Sequence, residues 1–131
     1  MNITLWVLQA LLAAAFLAHG LLYVFPPAEM VEQMNAAVPP GLRIFIGVAE
    51  ILAAVGLILP GVTRILPWLV PAAAAGLMTV VASATVFHLV RGEFGPAAVA
   101  MGLCAVAAFV AYMRWSVSPI APHGAQQRPS A

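Results

Sequence analysis

Four long apolar stretches, residues 3–25, 42–59, 68–90 and 96–113, constrain this chain more than anything else in it. A helix crosses a hydrocarbon core of about 30 Å with roughly 20 apolar residues, and about 17 to 25 are tolerated. Each stretch has that length. The breaks between them are proline and glycine: Pro26-Pro27, Pro39-Pro40-Gly41, Pro60-Gly61 with Pro67, and Gly92 with Gly95-Pro96. Strands of a membrane barrel run about 9 to 11 residues and alternate polar with apolar side chains, so a barrel is excluded. With 64% apolar and 7% charged residues and a mean hydropathy of +1.06, the chain is built for lipid as its solvent. The expected fold is an all-α integral membrane protein, an up-down bundle of four transmembrane helices, because short connections make successive helices antiparallel neighbours.

Proline at 96 and at 71 falls near a helix start, where a missing N–H costs nothing. Ala49/Ala53, Ala72/Gly76, Ala98/Gly102 and Ala107/Ala111 are spaced to let helix backbones approach, and they read as packing. The first stretch exceeds a signal-peptide core and reads as a retained helix. A membrane domain is therefore expected over residues 1–115, followed by a disordered tail over 116–131, where Ser, Pro and Gln dominate. After Pro26-Pro27 the first loop reads as a short interfacial helix. Met30, Val31, Met34 and Val38 take one side of it, and Glu29, Glu32 and Gln33 another. It is either a cap on the outer end of the bundle or an ordinary connector at the headgroups.

The chain has five arginines, four glutamates, no lysine and no aspartate, so each charge can be weighed singly. The arginines are scattered one per segment, and no basic groove exists for DNA or RNA. Arg64, Arg114 and Arg128 fall on the side of the N-terminus, and Arg43 and Arg91 on the other, which favours both termini in the cytoplasm. A lone cysteine, Cys104, excludes an intrachain disulfide and a dithiol relay.

Ionisable groups inside a span are costly and tend to face the bundle interior, so each is a site candidate. Glu50 lies about 12 Å into the second span, near the bilayer midplane. Gly47, Ala53 and Ala54 on the same face leave space beside its carboxyl for a neighbouring helix or a bound molecule. Arg43 shares that face two turns earlier, but helical side chains lean toward the N-terminus, so it leans away from Glu50. His19 lies roughly 9 Å, and His88 roughly 3 Å, from the outer interface. Arg43, Glu50, His19 and His88 are thus expected to converge in one outward-facing polar pocket that binds a ligand, with Glu50 and His88 handling a proton. Gln9 is expected to lie too far toward the other end to join. The alternatives are a Glu50 that only locks two helices, a His19 that makes an interhelical hydrogen bond, and a His88 that meets headgroups. A haem held by both histidines would need rings at similar depths, and these differ by about a helical turn. No metal site is assigned. Thr79, Ser83 and Thr85 are expected to bond their own backbone.

The run RIFIGVAEILAAVGLILP, Arg43 to Pro60, resembles the signature of the DoxX-like family: an arginine, a glycine, a glutamate, then small residues ending in Gly-Leu and proline. His88 with Arg91 and Glu93 behind it looks like the family's histidine at the end of the third helix. LWVLQALLAAAFLAHG is similar to its first span. The resemblance covers residues 3–115 and carries over Arg43, Glu50 and His88, with His19 less closely matched. It implies a small four-helix protein of the bacterial cytoplasmic membrane, associated with redox and detoxification systems. The expected function is that of an accessory subunit whose pocket takes a quinone or similar apolar molecule. The chain has no electron-carrying cofactor motif, so a redox partner protein would supply the electrons. The alternatives are an assembly factor or scaffold for other membrane proteins, and a stand-alone enzyme acting on a lipid-like substrate by acid–base chemistry. Oligomeric state is not readable.

Overall fold

The structure, a computed structural model, describes residues 2–124. Its elements are α1 (Asn2–Val24), α2 (Ala28–Ala37), α3 (Pro40–Thr63), α4 (Leu69–Val90) and α5 (Phe94–Tyr112), with α5 running on into a π-helical turn, Met113–Val117. Four of these helices are long and apolar enough to cross a membrane. They form the expected bundle. α1 packs most extensively on α3 and α4 on α5; α3 joins the two pairs through α4, and α1 touches α5 more lightly. The core between them is Leu12, Phe16, Leu57, Leu77, Val81 and Val110 with the small residues Ala54, Ala74, Ala100 and Ala107. Apolar residues cover the outside too, including Leu11, Phe45, Leu52 and Val99, as a lipid-facing surface requires.

Two local features shape the ends. α3 does not stop before Pro60 but continues to Thr63. Proline removes only one intrahelical bond there, in the last turn, where the loss is small. The α4–α5 turn is closed by Gly92 at φ +72, a conformation that favours glycine, with Glu93 N–H donating to the His88 carbonyl (2.9 Å).

α2 is the short helix read from the loop pattern, with Glu29, Glu32 and Gln33 exposed and Met30, Val31 and Met34 half-buried. Of the segment expected as a tail, residues 116–124 are described. Ser116 and Val117 belong to the π-helical turn, Ile120 lies against Gly61, and His123 N–H donates to the Arg64 carbonyl (3.1 Å). Apolar Ile120 and available backbone partners hold this segment. Residues 125–131, including Arg128, lie outside the described residues. Thr79, Ser83 and Thr85 each donate to the carbonyl four residues back.

Candidate functional site: two buried polar clusters

The inward stripe of α3 is Arg43, Gly47, Glu50, Ala54, Leu57 and Gly61, spaced at three and four residues. Opposite it runs α1, and the two backbones come closest at Gly20 and Gly47. A Cβ built on Gly20 would stand 2.7 Å from the Gly47 carbonyl oxygen, and one on Gly47 would stand 2.8 Å from that of Gly20. No larger residue fits at either position without separating the helices. This contact fills the space that the sequence leaves open beside Glu50: the neighbouring helix, rather than a cavity, occupies it.

The approach sets the first cluster. Glu50 is 3% exposed, and its Oε2 lies 2.7 Å from His19 Nδ1. The imidazole is 47% exposed, so it stands between the buried carboxyl and the surroundings. Either the imidazole Nδ1–H donates to a carboxylate, or a protonated carboxyl donates to the imidazole nitrogen. The hydrogen bond thus links a buried carboxyl to a half-exposed imidazole. The His19 ring also stacks at a tilt on Tyr23, centroids 4.3 Å apart. Arg43, also buried, does not reach Glu50. Its guanidinium donates to the Tyr23 carbonyl, in the last turn of α1, and its Nε donates to Asn35 Oδ1 of α2 (3.2 Å). A cation at a helix C-terminus answers the free carbonyls and the dipole there. Arg43 thus ties α1, α2 and α3 together at one end of the bundle.

His88 corrects the expected convergence. Its Nδ1 pairs with Glu93 Oε2 (2.6 Å), and Arg91 Nε donates to Glu93 Oε1 (2.9 Å). These three residues form a separate cluster at the α4–α5 turn, because Glu93, at the start of α5, is nearer in the chain than Glu50. The hydrogen bonds from His88 and then Arg91 hold the Glu93 carboxyl below its ordinary value of 4.5. His19, Glu50 and Arg43 are brought to one side of the bundle, and His88 is not among them. No group of three His, Cys, Asp or Glu able to hold a metal comes together among the described residues.

The second cluster is one that sequence reasoning missed. Arg114, in the π-helical turn, is 2% exposed. Its Nε donates to Gln9 Oε1 (2.6 Å), and its Nη1 donates to Asn2 Oδ1 (2.7 Å) and the Ser118 carbonyl (3.2 Å). Gln9 Nε2 in turn donates to the Leu57 carbonyl (2.7 Å). Trp6 faces the guanidinium at 5.2 Å. The signal was available: a glutamine within an apolar span needs a partner, and an up-down bundle puts the end of the last helix beside the start of the first.

Four apolar spanning helices, buried polar pairs between them and a lipid-facing exterior define a small multi-pass membrane protein. Within that class the sequence model of the DoxX-like family matches residues 7–110, and the chain belongs to that family. No curated protein and no solved structure matches it.

Proposed function

We propose that this DoxX-like protein is an accessory membrane subunit of a redox system, placed in the bacterial cytoplasmic membrane with both termini inside, where it presents a proton-exchanging pair to a quinone. The supporting observation is the His19–Glu50 pair: a nearly fully buried carboxyl bonded to a half-exposed imidazole. Reduction of a quinone takes up two electrons and two protons. The electrons come from a partner protein, since the chain carries no electron-transfer motif, and the pair relays protons from its accessible imidazole side. The apolar body of the ligand approaches from the lipid, against the outer faces of α1 and α3. His19 takes the role that the sequence suggested for His88, and Arg43 acts by fixing the helix ends around the pair. The test is the absorbance of solvent extracts of protein purified in mild detergent. Quinone retained near one per chain supports the proposal; no quinone, together with no thermal shift on adding a short-chain quinone, rejects it.

A second reading, an assembly factor or scaffold, draws on the opposite face. Gly76 on α4 and Gly102 on α5 have nothing within 4 Å of where a Cβ would stand, so small residues there leave room for a client helix. In that case Glu50 serves only to lock α1 to α3.

A further inference from the structure

The Arg114 cluster takes no part in the proton-exchanging pair, and its electrostatics are incomplete. Every group that Arg114 bonds is neutral: a carboxamide, a second carboxamide and a backbone carbonyl. Its Nη2 is buried and has no hydrogen-bond partner among the described residues. An arginine does not shed its proton to escape burial, and an unanswered buried charge costs several kcal/mol. Among the described residues no acid stands beside it. There is no aspartate, and the glutamates are Glu29 and Glu32 on α2, Glu93 at the α4–α5 turn and Glu50 in the middle of α3. Glu50 is about 10 Å along the helix axis from Leu57, where the cluster begins. Nothing among the described residues supplies the countercharge.

A cavity of about 280 Å³ adjoins the cluster. Its wall includes Arg114, Trp6 and Asn2, the close-packed Gly61, and a second cation, Arg64. Its depth in the membrane is marked by aromatic residues. All three tryptophans, Trp6, Trp68 and Trp115, stand at this end of the bundle with Tyr112 beside them, and Trp68, Trp115 and Tyr112 are more than half exposed. Such residues gather where headgroups meet hydrocarbon. Two guanidiniums around a cavity at that depth, with no acid among the described residues that line it, have the chemistry of a phosphate site. We infer that this cavity binds the phosphate of an anionic phospholipid headgroup, with Arg114 and Arg64 as its cationic contacts and Trp6 walling one side. Basic pockets between spanning helices hold headgroups in this way.

The experiment is thermal unfolding of the delipidated full chain in neutral detergent, with added phosphatidylglycerol, phosphatidylcholine of the same acyl chains, or inorganic phosphate. Phosphatidylglycerol is expected to raise the midpoint and phosphatidylcholine to leave it unchanged. Arg114→Gln should remove the difference, and it risks misfolding because Arg114 is buried. Arg64 is exposed, so Arg64→Gln keeps the fold and is expected to weaken phosphatidylglycerol about fivefold. A rise with inorganic phosphate equal to that with phosphatidylglycerol would support the phosphate site and assign it to a free anion. If both lipids act alike and phosphate does nothing, or if Arg64→Gln keeps the full response, the inference fails.

Discussion

Glu50 and Arg114 are buried to nearly the same extent, 3% and 2% exposed, in opposite halves of one bundle, yet they are accommodated differently. Glu50 has a titratable partner, His19, and can itself be neutralised by a proton. Arg114 stays charged and is held by carboxamides and a carbonyl, with one nitrogen unpaired among the described residues. The contrast separates two kinds of buried charge. One is bonded to a half-exposed imidazole, the arrangement on which the proposed proton exchange rests. The other is fixed, and it is the charge that the proposed headgroup phosphate would answer.

The comparison is broken most severely at its fixed end. Gln9→Leu removes the acceptor of Arg114 Nε and leaves the buried guanidinium further unsatisfied, at a cost of about 3 kcal/mol in detergent unfolding. Adding Arg114→Leu to it should restore most of that loss. A double variant no more stable than Gln9→Leu would mean that the charge is not what Gln9 answers. At the other end, Gly47→Val should cost about 1 to 3 kcal/mol, because its side chain would meet the Gly20 carbonyl and separate α1 from α3. Gly102→Ala, with open space at its Cβ, should cost nothing or stabilise slightly.

A second acid, Glu93, supplies a smaller contrast. The folded pKa of Glu93 is depressed, so its contribution is fully present above the ordinary value of 4.5 and is lost as pH falls through the lowered value. Hydrogen exchange at the α4–α5 turn should therefore quicken only in acid, and Glu93→Gln should remove that dependence. The smallest effect belongs to Cys104→Ala. Cys104 Sγ makes one weak contact, to the Met78 carbonyl at 3.6 Å, and packs against the apolar core. Stability and quinone content should both be unchanged; a loss of quinone at normal stability would give the thiol a role.

The four spans were legible because their length and their proline and glycine breaks leave one solution in lipid. α2 was legible from its amphipathic pattern, and the inward turn of Arg43 and Glu50 from the cost of placing charge in lipid. Partner choice was not. Both histidines fell in the outer half of the bundle, but helix order placed His19 against Glu50 across the Gly20–Gly47 contact, while the tight Gly92 turn delivered Glu93 to His88. Gln9 seemed isolated because it was weighed only against the groups at the outer end. Its true partner, Arg114, is 105 positions away in the chain, and only the bundle's closure of α1 against α5 brings the two together.

The central claim is that Glu50 exchanges a proton in the service of a bound quinone rather than locking α1 to α3. It is tested most directly by quinone content and the quinone-induced thermal shift of Glu50→Gln beside Glu50→Leu. Glutamine keeps the shape and hydrogen bonding but cannot ionise. The account predicts a Glu50→Gln protein that unfolds at the wild-type temperature yet retains no quinone and shows no shift. Glu50→Leu should lose in addition the interhelical bond, worth about 0.6 to 2 kcal/mol. A Glu50→Gln protein with wild-type quinone content and a full shift would contradict the claim and leave Glu50 as a helix lock.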